Sequence, residues 1–295
     1  MQSAEFLSAV FFYLKVGENL NQNWIVENLN NAFSTWNGKL GELWGLVTTG
    51  PQTFKGGAVW SVMQTLHNGM VGIGYALVVL FFAISLCKNT MNFHELKRPE
   101  AAIHYFLRFV AAKTLVGYGM DIMLNVFSIC NGIVTDMADS MGGISEAMVS
   151  LPAEMQTAIE NVGFLASIPL WLVTILGNLF ITVLSFVMIL TVYGRFFRLY
   201  MYTALAPLPL AAFAGESTQS VGISFLKSYV GVCLEGAVIV LACVIYSAFV
   251  STPTVASGEA TTIVWSYLAE TVFNMLVLVG LIKGSDRIIH EMMGL

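Results

Sequence analysis

The sequence predicts an all-α, polytopic integral membrane protein with about five transmembrane helices, a proline-broken segment that re-enters the membrane, and an amphipathic N-terminal region. Composition is the first observation behind this prediction, because 57% of the 295 residues are hydrophobic and only 11% are charged. Soluble domains carry about 25% charged residues. A soluble protein of this length could not cover its apolar residues with so little charge. Long uncharged stretches are the second observation.

Five stretches are long and apolar enough to be transmembrane helices, since about 20 apolar residues cross a hydrocarbon core of about 30 Å. The second stretch is the weakest candidate because Lys113 and Asp121 interrupt it. The third lies in the uncharged run that separates Glu160 from Arg195. The predicted spans are residues 69–87, 109–135, 170–194, 227–250 and 261–282.

The segment 199–215 carries no charge but contains Pro207 and Pro209. Each proline removes a backbone donor and clashes with the preceding helical turn, so this segment makes a poor span. We therefore predict that it dips into the membrane and returns to the same side, with Arg195 and Arg198 as a basic anchor before it. A full crossing would give six spans instead of five.

The distribution of basic residues favours five spans. With a re-entrant segment, 10 of the 13 Lys and Arg residues lie on one side of the membrane, whereas a full crossing leaves only 7 there. Cytoplasmic loops carry an excess of Lys and Arg. We therefore predict an N-terminus outside and a C-terminus in the cytoplasm. The ten residues are Lys88, Lys97, Arg98, Arg108, Lys113, Arg195, Arg198, Lys227, Lys283 and Arg287.

The polarity of the chain divides it into an extracytoplasmic N-terminal region, residues 1–60, and a transmembrane helical domain, residues 61–295. In the first region, apolar residues recur at spacings of three and four, which predicts an amphipathic helix. Its apolar face either packs on the membrane surface or a partner subunit, or belongs to a simple globular cap. The apolar stripe is Leu29, Phe33, Trp36, Leu40, Leu43 and Val47.

The sequence offers no motif for catalysis or cofactor binding. It contains no GxxxxGK[ST], HExxH or GxSxG pattern, its four histidines are not spaced as metal ligands, and its four cysteines all lie in apolar stretches. We expect no catalytic residue, no cofactor, no metal and no enzymatic activity. The net charge of −5 provides no basic excess for stable nucleic-acid binding.

Three carboxylates at membrane depth, Asp121, Glu235 and Glu270, are the candidate intramembrane polar sites. A charge in the hydrocarbon core is costly, and by default it suggests a function. Glu270 lies near the middle of its predicted span, and Glu235 lies nearer the inner face. We expect these carboxylates either to line a polar pore or to pair with Lys113 or Arg108 between helices. Asp121 and Glu235 also have a plainer interpretation, in which they lie at an interface and are merely hydrated.

One segment of the chain resembles the TrbL family. It consists of the stretch RFFRLYMYTALAPLPLAAF, from Arg195 to Phe213, and the later motif FLKSY, which includes Lys227. The members of this family are polytopic inner-membrane subunits of type IV secretion and conjugation machines. In them a span ends in basic residues, a segment of the Ala-Leu-x-Pro-Leu type follows, and another span comes after it. The short central loop is most similar to the compact versions on conjugative elements of Gram-positive bacteria.

The resemblance implies a homo-oligomeric channel or channel-scaffold subunit in the bacterial cytoplasmic membrane, which helps single-stranded DNA and relaxase to cross. The partners it implies are membrane lipid, other secretion-system subunits, separate cytoplasmic motor ATPases and, transiently, the transferred single-stranded DNA. Two alternatives remain open at this point. One is a small-molecule or ion transporter with Glu235 and Glu270 as coupling carboxylates, and the other is a structural assembly factor.

Overall fold

The computed structural model describes residues 2–90, 99–140, 148–160, 162, 164–250 and 260–294, and within these ranges it contains helices and no β-strand. This confirms the predicted all-α class. Two 3₁₀ turns, Phe54–Gly57 and Ala212–Ala214, join longer elements. The α-helices are α1 (Gln2–Thr48), α2 (Ala58–Thr90), α3 (Pro99–Gly117), α4 (Gly119–Ser140), α5 (Ala153–Glu160), α6 (Phe164–Leu205), α7 (Pro207–Ala211), α8 (Gln219–Val250) and α9 (Ala260–Met293).

Four helical segments of the described chain are long and apolar enough to cross a membrane, and they coincide with the first, third, fourth and fifth predicted spans. Large apolar side chains stay exposed along them, among them Phe180, Leu190 and Phe273. Such side chains suit contact with lipid, so the chain is a multi-pass membrane protein. The four segments are Phe54–Lys88, Ser167–Leu205, Gln219–Val250 and Thr262–Met293.

The predicted span 109–135 falls on two helices, because α3 ends at Gly117 and α4 begins at Gly119. The chain passes very close to its neighbours at this break. A Cβ atom on Gly117 would lie 2.7 Å from the Tyr75 hydroxyl oxygen, and one on Gly119 would lie 3.2 Å from Leu210 Cδ1. Glycines on both sides of Tyr118 therefore leave room for these two side chains. The interruption is slight, because Tyr118 N donates to Thr114 O at 2.9 Å and Ile122 N donates to Tyr118 O at 3.0 Å.

The third predicted span is shorter than the helix that contains it. Helix α6 continues past Arg195 and Arg198 to Leu205, and the break comes only at Ala206, directly before Pro207. Nothing between Arg198 and Ala206 interrupts helical hydrogen bonding, whereas a proline cannot donate the bond that continues the helix. The two arginines are therefore residues within a long helix and not the end of one.

The chain forms two compact units, and each is assembled from stretches that are distant in sequence. Unit 1 contains the described residues of 1–45, 141–191 and 241–283, and unit 2 contains those of 46–140, 192–240 and 284–295. The division at residue 60 was argued from membrane side, which the helices do not test, and it stays a prediction.

The apolar stripe of α1 is buried at all six predicted positions, each 2% exposed or less, which confirms the amphipathic helix. In unit 1 the Phe33 ring meets the Tyr267 ring edge to face at 6.4 Å, and the Trp36 and Tyr246 rings lie 6.5 Å apart. The stripe thus packs on helices α8 and α9 of its own chain. This excludes its use against the membrane surface or a partner subunit.

In unit 2, helix α7 packs between α2 and α3. The contact with α2 is close, because a Cβ atom on Gly74 would lie 3.0 Å from Pro207 Cβ. Leu210 and Ala211 are buried in the same core as Val78 and Val116. Apolar burial therefore holds the proline segment against two other helices of this unit.

Candidate functional site

The C-terminal part of α6 and the N-terminal part of α8 run antiparallel within unit 2. The Tyr202 ring lies 6.2 Å from the Tyr229 ring and 5.5 Å from the Phe225 ring, whereas Arg195 reaches Val232 and Cys233. Residue numbers thus rise along α6 while those of the contacts in α8 fall. Helix α7 and the turn after it reverse the chain, so the two helices form a hairpin.

Arg195 is fully buried in this hairpin and donates to three backbone carbonyls. Its Nε donates to Val232 O at 3.2 Å, its Nη2 to Cys233 O at 3.1 Å and its Nη1 to Val47 O at 3.3 Å. Val47 lies in the last turn of α1, where carbonyls lack helical partners and carry the negative end of the helix dipole. That turn has no basic residue of its own. Arg195 therefore caps α1 from another helix.

Gly236 makes room for this guanidinium. A Cβ atom at position 236 would lie 2.8 Å from Arg195 Nη1 and 2.9 Å from Cζ and Nη2. Side chains do not approach that closely, so a side chain at position 236 would force the guanidinium of Arg195 to shift away from its three carbonyls. Sequence reasoning missed this residue, although a glycine directly after Glu235 in an apolar span was a signal.

Glu235 is 1% exposed and forms an ion pair. The plainer interpretation, in which this carboxylate lies at an interface and is merely hydrated, is therefore wrong. Arg198 Nη2 donates to both of its oxygens, at 2.7 and 2.8 Å, and Ser285 Oγ donates to its Oε1 at 3.0 Å. Arg198 Nη1 also forms an ion pair with Asp286 of α9. The partner of Glu235 is thus Arg198, and neither Lys113 nor Arg108.

We call Arg195, Arg198, Glu235 and Asp286 the charge network. Two positive and two negative groups balance one another, and the network ties together α1, α6, α8 and α9 within unit 2. A buried pair adds little net stability by itself, but removing one member costs about 3–5 kcal/mol because a buried charge is then uncompensated. The network therefore specifies how these helices pair.

The two prolines start a short helix and do not open a loop. Pro207 is buried at the first position of α7, where its missing N–H costs nothing, and Pro209 is half-buried two residues further on. The turn after α7 is held from α3, since Arg108 Nη2 donates to Gln219 Oε1 at 2.9 Å and Nη1 lies 3.9 Å from Glu216.

Glu270 belongs to unit 1, whereas the charge network belongs to unit 2. It is exposed at a cavity of about 390 Å³ that Tyr246, Tyr267, Thr271 and Asn274 also line. The Tyr267 hydroxyl donates to Ser150 O at 3.0 Å. The Tyr246 hydroxyl is buried and finds no hydrogen-bond partner among the described residues.

Asp121 lies in the first turn of α4, where a carboxylate is favoured by the helix dipole. It is exposed and lines a cavity of about 530 Å³ together with Asn125, Ser128 and Asn131. In the part of the chain that the structure describes, no group of three or more His, Cys, Asp or Glu side chains could hold a metal ion. The predicted inner-side residues Lys97 and Arg98 lie outside the described residues.

Long apolar helices, a partly buried charge network and a proline-started reversal define a polytopic α-helical membrane subunit. The family model described as TrbL/VirB6 plasmid conjugal transfer like protein matches residues 36–207, which is more than half of the chain. The chain therefore belongs to this family, which confirms the resemblance of the segment around Arg195 and Pro207. No curated protein and no solved structure matches it. The protein is a conjugal transfer membrane subunit that associates with other subunits of the secretion system.

Proposed function

We propose that this subunit forms or scaffolds part of a passage through the bacterial cytoplasmic membrane for single-stranded DNA and its relaxase, without enzymatic activity of its own. The observation that carries the proposal is the charge network, in which Arg195 and Glu235 are buried among apolar helices and Arg198 and Asp286 are partly exposed. Charged residues in such helices are costly and usually serve function.

The network suits a subunit that must keep its helices in register while a large polymer moves past them. Arg198 reaches α8 and α9 from α6, and Arg195 adds the end of α1. A set of apolar helices alone packs with little preference for one register, whereas a paired charge fits only one arrangement.

The partners follow from the family. Separate cytoplasmic motor ATPases supply the energy, other membrane subunits complete the passage, and several copies of this chain assemble around it. Contact with the transferred single-stranded DNA is transient, since a chain with a net charge of −5 does not hold phosphates tightly.

The test is complementation of a deletion strain in a mating assay with Arg198→Ala. We expect transfer frequency to fall by on the order of a hundredfold, because removing one partner of a buried ion pair costs about 3–5 kcal/mol. Arg198→Lys keeps the charge without the two-pronged geometry and should give an intermediate frequency.

The matched control is Arg287→Ala, since Arg287 is exposed and pairs with Glu291 of its own helix at 2.8 Å. Immunoblots measure the amount of each variant in the membrane, and transfer frequencies are compared only between variants that are present at the normal level. Wild-type transfer by Arg198→Ala at that level would contradict the proposal.

The proposed orientation has its own test, in which Ser220, exposed at the start of α8, is changed to cysteine after the four native cysteines are replaced. If the hairpin returns to the cytoplasmic side, a membrane-impermeant maleimide labels Ser220→Cys only after the cells are opened. Labelling of intact cells would instead mean six spans and an outside C-terminus.

The cavity at Glu270 favours a second candidate function, the movement of an ion or small solute. Hydroxyl, amide and carboxylate groups converge there, and the buried Tyr246 hydroxyl lacks a partner among the described residues. Purified protein in liposomes would then show a solute flux that Glu270→Gln abolishes, whereas a conjugation subunit shows none.

A further inference from the structure

A cavity of about 640 Å³ in unit 2 is lined by α3 and by the turn that joins α7 to α8. One part of its lining is apolar, and another part is polar. The polar part contains a guanidinium and a carboxylate, so groups of opposite charge border the same space. The residues that matter for its chemistry are Arg108, Glu216 and Gln219 in the polar part and Leu107, Leu115 and Phe213 in the apolar part.

The two charged residues of the cavity are held in place by neighbouring elements. Arg108 Nη2 donates to Gln219 Oε1 at 2.9 Å, and the backbone N–H of Glu216 donates to Ser85 Oγ of α2 at 3.5 Å. Arg108 Nη1 and Glu216 Oε2 lie 3.9 Å apart, which is beyond hydrogen-bond distance. A guanidinium has several N–H donors, and a carboxylate accepts several hydrogen bonds. Both groups therefore keep hydrogen-bonding capacity for a ligand.

The position of the cavity suits contact with lipid headgroups. Gln219 is the first residue of the 32-residue segment Gln219–Val250, which is long and apolar enough to cross a membrane. At about 1.5 Å per residue this segment measures about 48 Å, whereas a hydrocarbon core is about 30 Å thick. Its ends therefore reach past the core. Beside the cavity, Phe106 and Leu107 of α3 are 63% and 58% exposed, and exposed apolar side chains of this kind suit contact with acyl chains.

We propose that this cavity binds the phosphoethanolamine headgroup of a membrane phospholipid. The guanidinium of Arg108 donates to the phosphate, and the carboxylate of Glu216 accepts from the ammonium group. Two carbon atoms separate the phosphate from the ammonium in this headgroup, so its charges can reach two protein groups that lie 3.9 Å apart. The start of the acyl chains then lies against Leu107, Leu115 and Phe213.

Other common headgroups make fewer of these interactions. Phosphatidylglycerol has no ammonium group, so its negative charge meets Glu216 without compensation. Phosphatidylcholine has a positive charge but no N–H group that could donate to the carboxylate. The lipid site goes beyond the passage proposed above, because it exists whether or not DNA crosses the membrane. A bound lipid would join α3 to the turn before α8, where Arg108 already holds Gln219.

Native mass spectrometry of the full chain in detergent tests the site with three lipids of identical acyl chains: phosphatidylethanolamine, phosphatidylglycerol and phosphatidylcholine. The wild type should bind the first about tenfold more tightly than the other two, since hydrogen bonds to charged groups contribute about 1.5–3 kcal/mol. Arg108→Gln should weaken that binding by about tenfold. Arg287→Gln is the matched control, because Arg287 is exposed and pairs with Glu291 of its own helix. Free phosphoethanolamine should bind at least about tenfold more weakly than the lipid, because it has no acyl chain to bury.

Substitutions of Glu216 test the headgroup assignment without disturbing the fold, because this side chain is 65% exposed. Glu216→Gln should remove the preference for phosphatidylethanolamine, and Glu216→Lys should reverse it in favour of phosphatidylglycerol. These variants carry the test even where Arg108→Gln does not fold. Equal binding of the three lipids by the wild type, an unchanged preference in both Glu216 variants, or an equal loss in Arg287→Gln and Arg108→Gln would each overturn the inference. Binding of free phosphoethanolamine as tight as that of the lipid would also overturn it, since the ligand would then not be a lipid.

Discussion

Glu235 and Glu270 are both carboxylates within helices of membrane-spanning length, and the sequence alone gives them the same status. The structure separates them. Glu235 is 1% exposed and accepts hydrogen bonds from Arg198 and Ser285, whereas Glu270 is exposed at a cavity with Tyr246 and other polar side chains. An apolar span shows that a carboxylate needs stabilisation, but not whether a second helix or water provides it.

We therefore expect the regions around Glu235 and Glu270 to have different roles. The region around Glu235 holds helices together, so changes there should lower stability and transfer together. The region around Glu270 has a carboxylate at an open cavity, so changes there should affect transfer while the fold stays intact. Each of the following variants tests this difference between the two regions.

Gly236→Ala should have the largest effect, because its Cβ atom would lie 2.8 Å from Arg195 Nη1. Displacing the buried guanidinium from its three carbonyls should lower the free energy of unfolding by about 3–5 kcal/mol. The thermal midpoint in detergent micelles measures it. Gly280→Ala is the control, since no described atom lies within 4 Å of a Cβ there, and equal midpoints for both variants would refute the assignment.

Glu235→Gln keeps the shape of the side chain and removes its charge. We expect a loss of about 1.5–3 kcal/mol, the usual contribution of hydrogen bonds to charged groups. The exposed Glu291, which pairs with Arg287 in the same helix, supplies the control Glu291→Gln. If both variants unfold at the same temperature, Glu235 does not hold the helices together.

Pro207→Ala combined with Pro209→Ala should change stability little, by about 0.4–1 kcal/mol, because its main effect is on the entropy of the unfolded chain. Transfer should nevertheless be abolished, because the backbone hydrogen bonds that the alanines restore would stiffen the junction at Ala206, just before the turn that Arg108 holds through Gln219. Mating frequency measures this. Wild-type transfer by a normally abundant variant would show that the break has no role.

Glu270→Gln should change the free energy of unfolding by less than about 0.5 kcal/mol, as most substitutions of exposed side chains do. If Glu270 faces a polar lumen, transfer frequency should fall although the thermal midpoint is unchanged. Full transfer would leave Glu270 without a role in the passage, and the contrast with Glu235 would then be one of structure alone.

Several features followed from the sequence because their causes are local. Hydropathy placed four membrane helices, and the 3.6-residue period identified the α1 stripe from Leu29 to Val47. The same period was present in α4, but the prediction treated 109–135 as an apolar span and overlooked the alternation of Met123 and Phe127 with Asn125 and Ser128. The packing of Tyr75 and Leu210 against the glycines beside Tyr118 joins residues far apart in the chain, which no local pattern contains.

Composition, periodicity and short motifs are properties of neighbouring residues, so the class of the protein, the positions of its apolar helices and its family could be inferred without a structure. The partners of the charges could not. Arg195 reaches carbonyls 37, 38 and 148 positions away, and Glu235 meets Ser285 across 50 positions. Such pairings depend on how helices pack, and packing is decided by surfaces brought together from the whole chain.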